Sequence, residues 1–362
     1  MQHKLIKNTL TVHPEGRITS ANAANAEKEL MSLIERYGER ELVIDMQDLQ
    51  YISSAGLRVL LKARKYKQSN FLIQNVSDEV FDIFSVTGFS DMFQIKRKMK
   101  TYFLKKSDGL ARSINGKIYE QDNDTMIKVY SPQIPLKEVE RERDFSHKAL
   151  VHGVPTVIPY DVGIVGNCYG IVFEAVDTVS LAQAITREPE KLESYAEEFA
   201  FFLEDLHKIE IDGDDFPNIK ERYREWMSLV GNQLSEKDKR NITVLLEGIP
   251  DKHTYVHGDI HLSNVVIHNG EMMLMDMAGS AYGHPIFDLQ GLYASLVAIE
   301  MERPMYCSTY FGISGKNCAK FWNTFYPIYM GNKSKAELEK MTQLLKSYYI
   351  LKQKLLTLLE GE

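Results

Sequence analysis

The stretch VHGDIHLSNVVIHNGEMMLMD, Val256 to Asp276, decides how this 362-residue chain is read. Asn269-Gly270 is a strong two-residue hairpin signal, so Val265–His268 and Met272–Met275 are expected to pair as strands. That pairing carries the loop at Asp259 and Asn264 back beside Asp276. Two carboxylates and an amide then meet at one end of a hairpin, the set phosphoryl transfer needs. One carboxylate orients an acceptor hydroxyl and takes its proton, while an Asn and an Asp hold Mg²⁺ against phosphate oxygens. Asp259 takes the first role, and Asn264 and Asp276 the second. Two simpler readings compete. Asp and Asn also favour turns and caps for local reasons. His253, His257 and His261 recur every four residues, as zinc ligands on a helix would, but Gly258 and strand-like flanks oppose a helix there. The glutamate of an H-E-x-x-H site is also missing.

Upstream, GLARSINGKIYEQDNDTMIKVY (Gly109–Tyr130) reads as three antiparallel strands joined by a turn at Gly116 and a polar DND turn. Lys128 lies on the third. LKEVERERDFSHKAL (Leu136–Leu150) has helix-forming composition closed by Gly153 and Pro155, and YGIVFEAV (Tyr169–Val176) returns as a strand. Beyond Leu181 the pattern is mainly helical. Leu192, Tyr195, Phe199, Phe202, Leu203 and Leu206 share one face, and Ser334 with Glu337 forms a capping box for a long last helix. A small sheet lobe before a large helical lobe suits a nucleotide held between them. Lys128 is expected to contact the phosphates, braced by a helix carboxylate, for which Glu142 is the best placed.

The segment VHGDIHLSN with the following LMD resembles the aminoglycoside phosphotransferase and choline kinase family, whose H-G-D-x-x-x-x-N motif carries the same aspartate and asparagine. VERERDF resembles that family's lysine-partner helix and selects Glu142 over Glu138 or Glu140. The resemblance spans about residues 107–362 and implies an ATP (or GTP) and Mg²⁺ requirement. It also implies a phosphate-covering loop in ARSINGKIY, with Ser113 and Gly116. Adenine contacts are implied at the backbone of Glu174 and Val176, and support of the loop by His257 and Asp288. Asp276-Met277-Ala278 stands where protein kinases carry D-F-G, so their activation switch is not expected.

The first hundred residues have an α/β rhythm. ELVIDM and FLIQNV read as buried strands, NAEKELMSLIERYG as a helix ended by Gly38, and a second helix begins near Ser54. Serines there are ordinary N-caps. The succession GRITSANAANAEKEL, LVIDMQDLQYISSAGLRVLL and VSDEVFDIFSVTGFSDMF nevertheless resembles the STAS domain of anti-sigma-factor antagonists. In that family the serine after the strand-to-helix turn is the phosphorylation site, here Ser54 within SSAGL, where many members carry Asp at the position of Ser53. The implied partner is an anti-sigma factor or a serine kinase. A phosphate at a helix N-terminus meets free N–H groups, whereas a docked partner meets about two new negative charges.

Composition sets the remaining bounds. No stretch approaches the roughly 18 apolar residues of a membrane span, and the N-terminus lacks a signal-peptide pattern, so a cytoplasmic location is expected with no membrane partner. Three scattered cysteines, Cys168, Cys307 and Cys318, fit neither a disulfide framework nor a thiolate cluster. Net charge is about +5 up to Lys106 and about −12 beyond it. The basic KRKMKTYFLKK lacks an aromatic platform and reads as a solvated linker, not a nucleic-acid surface.

The expected protein is therefore multidomain: an α/β STAS domain (1–100), a basic linker (101–106), and an α+β bilobal kinase-like unit with a sheet lobe (107–180) and a helical lobe (181–362). It is expected to phosphorylate a hydroxyl of a small molecule, a cationic amino-alcohol or aminosugar being one candidate because the second unit, including EIDGDD (Glu210–Asp215), is acidic overall. Two alternatives stay open: a nucleotide-sensing pseudokinase serving the STAS module, and a kinase acting on Ser54 itself.

Overall fold

The computed structural model describes residues 1–38, 40–67, 71–104, 111–113, 116–176, 179–211, 214–230 and 233–360. The chain folds as two units, Met1–Lys100 and Thr101–Glu362.

Alternation of apolar residues in Thr9–His13 and Glu41–Asp45 puts Leu10, Val12, Leu42 and Ile44 in the first unit's core. The five-stranded sheet runs Gln2–Ile6, Thr9–His13, Glu41–Asp45, Phe71–Val76, Gln94–Arg97. Its first pair is antiparallel and the others are parallel. Leu30 and Ile34 of helix Ala23–Tyr37, Leu57 and Leu60 of helix Ser54–Lys67, and Val80 and Phe84 of helix Asp78–Val86 join the same core. Each such side chain contributes roughly 1.5–3 kcal/mol by leaving water. Ser53 is the cap of the second helix, its Oγ accepting the Gly56 N–H at 3.3 Å. Ser54 is the first helical residue and is exposed.

In the second unit the strands Ala111–Ser113, Gly116–Glu120 and Thr125–Tyr130 are antiparallel, followed by Cys168–Glu174 and Pro159–Val165 across the sheet. Part of the expected linker is attached to this unit: Tyr102 donates its N–H to the Ile164 carbonyl at 2.8 Å, and Tyr102 and Leu104 pack beside Val165 and Val172. Lys105–Leu110 lie outside the described residues.

Helix Leu136–Val151 follows, and the remainder is mainly helical. Its core gathers Phe199 and Leu203 of Leu192–Leu206 with Phe321 and Phe325 of Gly315–Tyr329. Ser334 and Glu337 cap the last helix, Lys335–Glu360, reciprocally. Among the described residues, no helix is long and apolar enough to cross a membrane.

Candidate active site

The hairpin forms with a register one residue tighter than the sequence reading. Val265–His268 pairs with Glu271–Leu274, because Asn269 (φ 51°) and Gly270 (φ 84°) make a two-residue turn that sets His268 opposite Glu271. Met275 still bonds to this ladder, its N–H donating to the Asn264 carbonyl at 2.9 Å. Val266 and Met275 share an apolar cluster with Met126, Val139 and Ile171, which seats the hairpin against the lysine strand and its neighbouring helix.

That seating brings three charged groups together. Lys128 Nζ donates to Glu142 Oε1 and to Asp276 Oδ1, each at 2.7 Å. Lys128 and Glu142 are both 2% exposed. Burial disfavours the lysine's charge, but Asp276 and Glu142 together raise its pKa. Burial likewise opposes ionisation of Asp276, and the Lys128 ammonium overrides it, holding that carboxyl below the usual range. Glu142 is raised, since burial outweighs its share of the same ammonium. Asp276 adopts left-handed backbone (φ 65°, ψ 61°), a conformation uncommon outside glycine that recurs at functional sites.

The loop before the hairpin is fixed from several sides. His257 Nε2 donates to the Met275 carbonyl at 3.0 Å, and its Nδ1 accepts the Asp259 N–H at 3.3 Å. Asn264 Nδ2 donates to the Asp259 carbonyl at 2.9 Å. Gly258 (φ 76°) admits no side chain, because a Cβ there would lie 2.2 Å from the Gly279 carbonyl oxygen. Asp288 accepts the His257 and Gly258 N–H groups at 2.8 and 2.7 Å and faces His207 Nε2 at 3.2 Å. His207 also meets the Tyr329 hydroxyl at 2.8 Å. His261 Nδ1 accepts the Ser263 N–H at 3.2 Å, and burial lowers its pKa.

Asp288 carries a stability prediction. Burial alone raises its pKa, yet the hydrogen bond and charge of His207 and the loop amide lower it below the ordinary value. A depressed carboxyl pKa contributes stability that is complete above about 3.8 and disappears as pH falls through the lower folded value. Asp288→Ala leaves the buried His257 N–H and the part-buried Gly258 N–H unpaired and is expected to cost about 3–5 kcal/mol. Thermal unfolding of the full chain should lose about 10 °C. An unchanged midpoint removes Asp288 as the brace.

Asp259, Asn264 and Asp276 line one cavity of about 540 Å³. Asp259 is exposed to it, as a group meeting an incoming molecule must be. The other expected nucleotide contacts are more dispersed. Gly116 opens a strand, where a Cβ would stand 2.1 Å from the Val129 carbonyl oxygen, so close strand approach by itself requires glycine. Ser113 pairs with Gly116 through the backbone, and its side chain lies outside the described residues. Glu174 donates its N–H to the Ile158 carbonyl and accepts the Ile158 N–H on its carboxylate. Val176 packs beside the cluster of Ile118, Met126 and Phe173.

Sequence reasoning missed Arg222, whose guanidinium donates to the Gly279 and Ser280 carbonyls at 2.8 and 3.1 Å and braces the chain beyond Asp276. An arginine in an amphipathic helix carries no local mark of such a role. Gln290 and Lys352 on the cavity wall were missed for the same reason.

Residues 91–321 match the phosphotransferase enzyme family, and the chain belongs to that family. Residues 1–102 match the STAS domain, so the protein joins an N-terminal STAS domain to a kinase-like phosphotransferase unit. A candidate anti-sigma factor antagonist, BtrV, of Bordetella bronchiseptica is 37% identical over 84 residues, covering 22% of this chain and 72% of that one. The anti-sigma-B factor antagonist of Listeria monocytogenes is 30% identical over 97 residues, covering 25% and 85%. A crystal structure of aminoglycoside phosphotransferase APH(4)-Ia with ADP and hygromycin B is similar at 12% identity and a TM-score of 0.47, over 71% of this chain and 88% of that one.

Proposed function

We propose that the second unit transfers the γ-phosphoryl group of ATP, or GTP, to a hydroxyl of a small molecule. The observation that carries this reading is the convergence of Asp259, Asn264 and Asp276 on one cavity, with Asp276 tied to the buried Lys128–Glu142 pair. Asp259 orients the acceptor hydroxyl and takes its proton. The hydroxyl oxygen forms a bond to the γ-phosphorus as the bond to the ADP oxygen breaks, and the electron pair leaves with ADP. Lys128, positioned by Glu142, binds the phosphates. Asn264 and Asp276 supply oxygen donors, a hard set that fits Mg²⁺. When bound, Mg²⁺ supplies neutralisation of phosphate charge. The test is ADP release by the full chain with ATP, Mg²⁺ and hydroxyl compounds. Release that no acceptor stimulates, with ATP still bound, favours the nucleotide-sensing alternative.

The STAS domain is proposed to work in the cytoplasm as a docking module for an anti-sigma factor or serine kinase, switched by phosphorylation at Ser54. Ser53 Oγ is already engaged as a cap, whereas Ser54 opens the helix and is exposed. A phosphate on Ser54 is favoured by the helix N-terminus and opposed by a partner packed against it. Ser54→Asp carries about half the phosphate's charge, so a severalfold loss of partner recovery is expected, with folding unchanged. Affinity recovery with wild-type, Ser54→Ala and Ser54→Asp baits, with phosphate mapping by mass spectrometry, decides it. Equal recovery and an unmodified Ser54 reduce the serine to a helix opening. The same mapping after incubation with ATP alone tests whether the kinase modifies its own Ser54.

A further inference from the structure

The cavity lined by Asp259 also has lining residues from the last helix and from Ile286–Tyr293, with a chemistry of their own. At about 540 Å³ it has the size of sites that enclose small organic ligands, roughly 300–1,000 Å³. Its body is aromatic and apolar, with Tyr306, Tyr310, Phe311 and Leu356 among its lining residues. The carboxylates lining it, among the described residues, are Asp259 and Asp276, both already placed at the phosphoryl end. No described residue of Glu210–Asp215 lines it, and Asp215 is paired with Lys148 and His152.

Two nitrogen donors among the lining residues, on Lys352 and Gln290, have no hydrogen-bond partner among the described residues. Lys352, on the last helix, lines the cavity half-buried without a hydrogen bond or ion pair. Gln290, 1% exposed, accepts the Tyr223 hydroxyl at 3.3 Å on Oε1, while its buried Nε2 has no partner. A buried donor left unpaired costs about 1–3 kcal/mol, so a ligand that accepts from it recovers that cost. The adjoining Ala294–Ala298 segment winds as a π-helix and lends Ala294 and Ser295 to the same wall, a distortion frequent at functional sites. His261 also lines the cavity, and Lys352 is the lysine among the described lining residues.

Resting on the kinase reading, we infer that the acceptor is a hydroxy acid: a hydroxyl compound with an apolar or aromatic body and an anionic group that Lys352 and Gln290 receive. A cationic amine meets an uncompensated ammonium at that wall, and an anion meets a charge-assisted donor.

Matched triplets that keep the hydroxyl and vary only the charge test this. One is 3-phenyllactate, its primary amide, and 1-amino-3-phenylpropan-2-ol; sugar and aliphatic bodies give two more. The acid of at least one triplet should show kcat/KM about tenfold or more above its amine. Lys352→Glu should reverse that order, and Lys352→Met should abolish it, with ATP affinity unchanged in both. Calorimetric binding of each compound is measured in parallel. Acid binding lost in Lys352→Glu without turnover in any variant supports the anionic site and defeats the kinase reading. Preferred turnover of amines, unaffected by Lys352→Glu, defeats the anionic site and leaves the kinase reading standing. Absence of tighter acid binding in every triplet also overturns the inference.

Discussion

Asp259→Asn should reduce acceptor-dependent ADP release by about 10²-fold to 10⁴-fold or more while leaving ATP binding intact. The lower figure is the usual contribution of a general base, and lost orientation of the acceptor adds to it. Asp259 lines the cavity, whereas the Lys128–Glu142–Asp276 cluster does not include it. Asparagine preserves size and leaves the Asp259 main-chain contacts to His257 and Asn264 in place. Steady-state turnover with calorimetric ATP titration separates chemistry from binding. A mutant as active as wild type removes Asp259 from the site.

Asp276→Ala and Lys128→Ala should fail in different ways. Lys128 stands between two carboxylates at 2.7 Å each. Removing its ammonium leaves both without their buried cation, so Lys128→Ala should cost about 3–5 kcal/mol of stability. Nucleotide binding should weaken as well, with its Mg²⁺ dependence retained. Asp276→Ala keeps the Lys128–Glu142 pair and should unfold closer to the wild-type temperature. Its turnover should fall about 10²-fold or more, and its ATP affinity should become insensitive to Mg²⁺. Thermal unfolding and ATP titration, with Mg²⁺ and with a chelator, distinguish the two. Identical profiles in both mutants contradict separate roles.

The contrast between these residues and those on the acceptor wall shows what a sequence can reveal. The hairpin was legible because Asn269-Gly270 dictates a turn locally, and the turn forces Asp259 and Asn264 toward Asp276 over a short span. Its register was misjudged by one residue, since apolar Met272 to Met275 looks equally strand-like at either end. Lys128 was legible from strand alternation and chain order. Glu142 needed the family resemblance to separate it from Glu138 and Glu140. Helix Ser54–Lys67 was readable from its serines and leucine stripe, although only the structure distinguishes the capping Ser53 from the exposed Ser54.

Lys352 and Gln290 had no such signal. One is a lysine in an amphipathic helix, and the other an amide in an apolar one. Their presence in the cavity that Asp259 lines arises from packing of the last helix against Ile286–Tyr293, which no local pattern encodes. The acidic residues at Glu210–Asp215, part of the basis for expecting an amine, contribute no described residue to the cavity.

The central claim is that this chain moves a phosphoryl group from ATP to a small-molecule hydroxyl. Phosphorus-31 NMR of the full chain with ATP, Mg²⁺ and the hydroxy-acid panel tests it most directly. The expected spectrum gains ADP and a new phosphomonoester in equal amounts, and neither appears in Asp259→Asn. Intact ATP in the presence of bound nucleotide, or inorganic phosphate formed equally by wild type and Asp259→Asn, would contradict the claim.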